Sequence, residues 1–326
     1  MKKIAVVGVG GRTGTMFSSE LKNVAEVFGV GRKREVDLIK NKKLFVKKRK
    51  KIELFEEDVI EDIEFLRESP FDFLFLTVKN PVGQVLKYYY QKIREKGIKP
   101  PTLFLSQNGI EVGEEVISVL KEIFGKSSEN IKVFRISLFN PIDKKVFGDR
   151  NYIIYSLPIR MAISKVFGPD DIKDIIETFK KANFEITLIP QKEAKNMEYS
   201  KLLLNLIGMA SATKGFSPKE GFSKKETFEE EIGAVKEYLK VVKAAGGKFL
   251  NFPHYPVNFF SLLFSLPVSF LFPFRKFFAK SIEKGRMGKQ KDLDEIGYYN
   301  GAVVKLGERF GVKTPINKKI LERVKL

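Results

Sequence analysis

Short, almost wholly apolar runs alternate with amphipathic stretches over the first half of the chain. The runs are KIAVVG (3–8), AEVFGVG (25–31), FDFLFLTV (71–78), TLFLS (102–106) and IKVFRISLF (131–139). Branched and aromatic residues fill both registers of most runs, the pattern of strands buried on both faces of a sheet. Helical periodicity at 14–23, 57–67, 82–96 and 112–124 separates them, with Gly or Pro opening or closing several segments. Strand and helix in turn predict an α/β fold with a doubly wound parallel sheet. NYIIYSL (151–157), a helix near 169–182 and FEITLIP (184–190) complete this domain, placed at 1–191. From 192 to 326 the pattern changes to long helices and no strand alternation returns, which predicts an all-helical second domain. The active site is expected in the cleft between the two.

Composition narrows the setting. At 326 residues the chain exceeds what one core usually fills, about 250–300 residues, so two domains are expected. With no cysteine it has no disulfide, no thiolate nucleophile and no cysteine-ligated zinc, which suits the cytoplasm. One histidine, His254 in NFPHYPV, sits between prolines and is assigned no catalytic role, and no metal site is predicted. The net charge of +19 attracts polyanions in general. Much of the excess lies in 31–51, without an aromatic ladder or recognition-helix pattern, and reads as a solvated basic face rather than a specific nucleic-acid site. The uncharged stretch VNFFSLLFSLPVSFLFPF (257–274) reaches the lower length of a membrane span, but Pro267 interrupts it. It is expected to be a buried helix pair or the interface of a homodimer, with membrane contact as the alternative and no membrane span.

The first strand runs directly into VGVGGRTG (7–14). A dinucleotide turn needs glycines for a tight bend, for close approach to a pyrophosphate and for packing of the next helix, whose N-terminus faces the phosphates. Gly8 and Gly10 begin that spacing, Thr13 stands where the third glycine is usual, and Gly14 follows; Gly8, Gly11 and Gly14 form the variant GxxGxxG. The turn therefore predicts a Rossmann-type domain. Arg32, Lys33 and Arg34 lie at the end of the second strand, where an acidic side chain would take the ribose hydroxyls of NAD. Cations there suit a 2′-phosphate, which predicts NADPH with Arg32 as first contact.

Four later segments, LTVKNP (76–81), SQNGIE (106–111), SKLLLNLIG (200–208) and EIGYYNGAVVKLGERFGVKTPIN (295–317), follow the turn in that order. Together they resemble the ketopantoate reductase family, the 2-dehydropantoate 2-reductases, over nearly the whole chain. The resemblance implies NADPH-dependent reduction of a small 2-keto acid on the route to pantothenate and coenzyme A. It gives Lys201 the part of general acid, Asn205 and Glu295 substrate contacts, Asn108 the nicotinamide and substrate end, and Lys79 a place near the cofactor. The residues also make chemical sense. Hydride addition to a ketone develops negative charge on oxygen, which a lysine can neutralise and protonate. Lys201 and Asn205 are spaced i, i+4, so they share one helix face within an apolar sequence.

The chain departs from the family on the substrate side. The Pro-Ser segment that usually precedes the final glutamate is missing from EKGRMGKQKDLDEIGYYNG, and Arg286 or Lys289 is the candidate to replace its serine. Met209 stands where a second asparagine is frequent. Reduction of a different branched 2-oxo acid, or an NADPH-binding sensor without catalysis, are the alternatives these departures leave open.

Overall fold

The structure is a computed structural model and describes residues 1–48, 50–169, 173–286 and 291–324. The chain divides into two compact units, Met1–Gln107 with Glu111–Ala194, and Asn108–Ile110 with Lys195–Leu326.

The first unit is an α/β layer structure. Its strands, in chain order, are β1 (Lys3–Val7), β2 (Glu26–Gly31), β3 (Leu44–Lys48), β4 (Lys51–Leu54), β5 (Asp58–Glu61), β6 (Phe73–Leu76), β7 (Thr102–Leu105), β8 (Val133–Leu138), β9 (Asp143–Phe147), β10 (Arg150–Tyr155), β11 (Ile159–Phe167) and β12 (Phe184–Ile189). Helices α1 (Arg12–Leu21), α2 (Lys33–Lys40), α3 (Gly83–Glu95), α4 (Val112–Phe124) and α5 (Lys173–Lys181) connect them. Eight strands form the main sheet in the order β12-β11-β8-β7-β6-β1-β2-β5, parallel except where β11 runs against β8. Chain order reverses beside β1, between β2 on one side and β6 on the other, and ligands of such sheets bind at the carboxyl ends of the strands at this point.

Successive residues of a strand face opposite sides of the sheet, and both sides are covered. Ile4, Val6, Phe73 and Phe75 enter one core, with Phe17 of α1, Phe104 and Phe134. Ala5, Val7, Leu74 and Leu76 enter the other, with Leu86 and Tyr90 of α3 and Val116 of α4. The first core is aromatic: Phe75 stacks on Phe104 at 4.5 Å between ring centroids, and Phe17 lies 5.0 Å from Phe75.

Two expectations fail here. Segment 57–67 is not an α-helix but β5 followed by a 3-10 helix over Asp62–Arg67. The basic stretch is not simply a solvated face, because Leu44–Lys48 is a strand whose Leu44 and Val46 are buried. With β4, β10 and β9 it makes a second sheet, ordered β4-β3-β10-β9. The fully buried carboxylate of Glu20 on α1 explains how a lysine enters: it pairs with Lys48 at 2.7 Å and accepts hydrogen bonds from Tyr155 and Asn183 at 2.7 and 2.8 Å.

The second unit is helical, as its sequence pattern predicts. Its helices are α6 (Ala194–Leu206), α7 (Met209–Ala212), α8 (Pro218–Ser223), α9 (Lys225–Ala244), α10 (Val257–Ser265), α11 (Val268–Leu271), α12 (Arg275–Arg286), α13 (Asn300–Arg309) and α14 (Pro315–Glu322). Two buried glutamates of α9 organise it by satisfying the unpaired N–H groups of helix starts. Glu231 accepts from the Gly208 and Ser211 amides at 2.8 and 2.7 Å, at the start of α7; Glu237 accepts from the Ile316 and Asn317 amides at 2.8 and 2.9 Å, at the start of α14. Asn300 donates to Asn317 at 2.9 Å, so the Asn-Gly and TPIN parts of the C-terminal pattern are structural. The buried helix pair expected at 257–274 is found only in part: Val257, Phe264 and Leu271 are buried, but Phe259, Leu262, Phe270 and Phe274 are exposed.

Candidate functional site

In the first unit the glycine turn joins β1 to α1. Gly8 has φ of +91°, a conformation that a side chain would strain, and its amide donates to Val30 at 2.8 Å. A Cβ on Gly14 would lie 2.2 Å from the Gly8 carbonyl oxygen, so only glycine lets α1 approach the turn this closely. Gly14 thus takes the packing part that Thr13 cannot, as the GxxGxxG spacing implies. Gly11 is the residue before α1, and the first turn of that helix carries no acidic side chain that would oppose an anion at its N-terminus. Gly10 lies against Glu35, whose Cγ would be 2.8 Å from a Cβ at position 10.

Three neighbouring strand ends frame the turn. Beyond β6, Thr77 donates to the Val7 carbonyl at 2.6 Å and lies against both Gly8 and Gly14; the exposed Lys79 follows two residues later. Beyond β2, Arg32, Lys33 and Arg34 are exposed at the start of α2. Glu35 accepts from the Arg32 amide at 2.9 Å, so its carboxylate caps α2 and stands between Gly10 and Gly31. Beyond β7, Gln107 is buried and donates to Leu76 and Val78 at 2.7 and 3.0 Å, fixing the loop that delivers Asn108.

The second unit gathers a polar chain from three distant segments. Asn205 Nδ2 donates to Asn108 Oδ1 at 3.2 Å, Asn108 Nδ2 donates to Glu295 Oε2 at 3.3 Å, and the Tyr299 hydroxyl donates to the same oxygen at 3.1 Å. Lys201 lies one turn before Asn205 on α6, half-buried like it. Glu231 fixes the end of that helix by capping α7, and Met209 is packed out of contact with water.

Residues 4–137 match the sequence model of the family described as ketopantoate reductase PanE/ApbA. The resemblance to ketopantoate reductases is therefore shown over these residues. No curated protein matches the chain. Among solved structures, a PanE/ApbA family ketopantoate reductase from Ralstonia eutropha JMP134 superposes with a TM-score of 0.74 at 15% identity, covering 100% of this chain and 97% of that one. A 2-dehydropantoate 2-reductase from Geobacter metallireducens GS-15 gives 0.64 at 18% identity, covering 99% of each chain. D-mandelate dehydrogenase with NADH and anilino(oxo)acetate gives 0.69 at 17% identity, covering 99% of this chain and 97% of that one. At these identities the likeness is one of fold: a Rossmann-type α/β domain followed by a helical domain.

Against the ketopantoate reductase pattern, the structure brings Asn108, Asn205 and Glu295 into one hydrogen-bonded chain, and collects the four glycines, Arg32 and the Lys79 loop at the carboxyl end of the main sheet. Two residues escape the sequence reading. Tyr299 stands at i, i+4 from Glu295 and bonds its carboxylate. Glu35 is three residues beyond Arg32, the spacing of a helix cap, which the run of cations obscured. Lys291 is a further cation on this side, its Nζ 5.4 Å from the centroid of the Tyr299 ring. Lys289 and the Arg286 side chain, the expected substitutes for the missing serine, lie outside the described residues.

Proposed function

We propose that the protein reduces 2-dehydropantoate to pantoate with NADPH in the cytoplasm, on the route to pantothenate and coenzyme A. The observation that carries this reading is the chain Asn205–Asn108–Glu295–Tyr299, which unites three residues of the family pattern from positions as much as 187 apart in sequence. The glycine turn supports the cofactor. Its cradle at Gly8 and Gly14 is one that a Cβ would fill, and α1 presents its N-terminus with no acidic side chain in the first turn. Arg32, Lys33 and Arg34 outnumber Glu35, whose carboxylate is engaged as a helix cap, and this balance favours a 2′-phosphate.

When bound, the nicotinamide supplies a hydride to the carbonyl carbon. The chain's own residues do the rest. The Lys201 ammonium hydrogen-bonds the carbonyl oxygen and passes it a proton as the negative charge develops. Glu295 accepts a hydrogen bond from the substrate hydroxyl, its carboxylate held in place by Asn108 and Tyr299. Asn205, already tied to Asn108, orients the substrate on the same helix face as Lys201. Lys291 is the described cation suited to the substrate carboxylate in place of the missing serine.

Loss of NADPH absorbance with purified protein tests this reading on 2-dehydropantoate, phenylglyoxylate and a panel of branched 2-oxo acids. A kcat/KM for 2-dehydropantoate at least about tenfold above every other acid supports it. Preference for another acid replaces the substrate, and NADPH binding without turnover on any acid replaces the enzyme by a sensor.

A further inference from the structure

Residues 248–282 hold ten of the chain's 30 phenylalanines and the cations Lys248, Arg275, Lys276 and Lys280, but no aspartate or glutamate. The helices within it are apolar on two sides. One side is an anchor: Val257, Phe264, Leu271 and Ala279 are buried, with the Phe264 and Phe228 rings against Phe278 at 5.9 and 6.4 Å. The other side faces outward. Phe259 and Leu262 lie one turn apart on α10 with Leu266 just past its end, and Phe270 on α11, Phe274 in the 3-10 turn that follows it and Phe277 on α12 continue the outward set. Five of these six are between 51 and 69% exposed, an outward set of large apolar side chains on both arms. Lys276 and Lys280 are exposed on α12, and Arg275 lies over the Phe272 ring at 4.0 Å.

We infer that this bent apolar face docks on an anionic lipid bilayer, lying in the headgroup layer without crossing it. Geometry excludes a single span by any described helix: the two arms, Val257–Ser265 and Val268–Ile282, meet at 114°. Nine residues of α10 reach about 14 Å at 1.5 Å per residue, against a hydrocarbon core of about 30 Å. Aromatic side chains on one face with lysine and arginine beside them are what an interfacial helix needs. Charge selects the occupant. A second copy seated on the same face would offer Arg275, Lys276 and Lys280 no carboxylate from its own 248–282, in a protein already at +19. The negative surface of a cytoplasmic leaflet complements the same cations.

Full-length protein is tested by co-sedimentation with vesicles of phosphatidylcholine alone or mixed with phosphatidylglycerol. Partition into the mixed vesicles is expected to be roughly a hundredfold stronger, about fivefold for each of three cations. The paired substitution Phe259→Ser with Phe277→Ser abolishes binding, and Lys276→Gln with Lys280→Gln weakens it about 25-fold on the same scale, all with unchanged thermal midpoint. The chain has no tryptophan, so Phe270→Trp provides a single reporter whose emission shifts to the blue on mixed vesicles. Equal partition into both vesicles, or no binding to either, overturns the inference. So does a dimer in light scattering that the Phe259→Ser, Phe277→Ser pair makes monomeric while vesicles capture nothing, since a second copy then covers the face.

Discussion

The glycine turn of the first unit and the polar chain of the second solve the problem of positioning in opposite ways. At the turn the constraint is in the backbone: Gly8 needs its positive φ, and Gly14 has the Gly8 carbonyl where its Cβ would be. Everything that matters lies within eight residues and the strand ends beside it. In the helical unit the constraint is in side chains, and Asn108, Asn205 and Glu295 meet only because the 108–110 segment, α6 and the approach to α13 bring them to one place. A backbone device tolerates no substituent at its tight points, whereas a side-chain chain loses one link at a time. The two regions should therefore fail differently when mutated.

Gly14→Val should have the largest effect on stability. It forces a branched side chain into a space that ends 2.2 Å away, so we expect about 2–4 kcal/mol of lost stability together with loss of NADPH binding, read by thermal unfolding and nucleotide fluorescence. Normal NADPH binding in that variant would break the comparison. Arg32→Ala leaves the backbone intact and should raise the NADPH dissociation constant by about 10- to 100-fold while leaving NADH unchanged, the value of one or two charge-assisted hydrogen bonds. Tyr299→Phe removes a single link at 3.1 Å from Glu295, and about 1 kcal/mol corresponds to a rise of about fivefold in the KM for the keto acid with the cofactor unaffected.

The smallest effect on the site is expected at Glu57, which precedes β5 and so lies at the amino ends of the parallel strands, away from the turn. Burial pushes its carboxyl up to about 7, despite Lys22 at 2.9 Å. Below the unfolded value near 4.5 the group is protonated in both states and costs nothing. As pH rises to 7 the unfolded chain releases the proton first, so stability falls and then levels. Between pH 5 and 8 the wild type should lose about 1–2 kcal/mol relative to Glu57→Gln, measured by denaturant melts, without any change at either half of the site.

The sequence was legible where one physical signal dominated. The strands of the main sheet at 3–7, 26–31, 73–76, 102–105 and 133–138 are apolar in both registers, and so stand out from any surface segment. β3 did not, because Leu44 and Val46 alternate with Phe45 and Lys47 inside a run of lysines, and one of those lysines, Lys48, is drawn inward by a glutamate 28 positions earlier. Segment 57–67 has helical periodicity, but pairing of Asp58–Glu61 with β2 prevails over it. The glycine turn was readable because its requirements are local. Tyr299 was not, since its hydroxyl matters only after Glu295 is brought to Asn108, a contact no local pattern encodes. The exposed apolar set of α10 to α12 was visible as an apolar stretch, yet which side would face outward depended on α8 and α9.

The most direct test of Lys201 as the proton donor is the rate of the hydride step in single-turnover absorbance, with NADPH-loaded protein mixed with 2-dehydropantoate, for the wild type and Lys201→Ala. A fall of about 100- to 10,000-fold in that rate is expected, with NADPH affinity unchanged. Equal rates in the two proteins would contradict this role, because the proton would then come from a group other than Lys201.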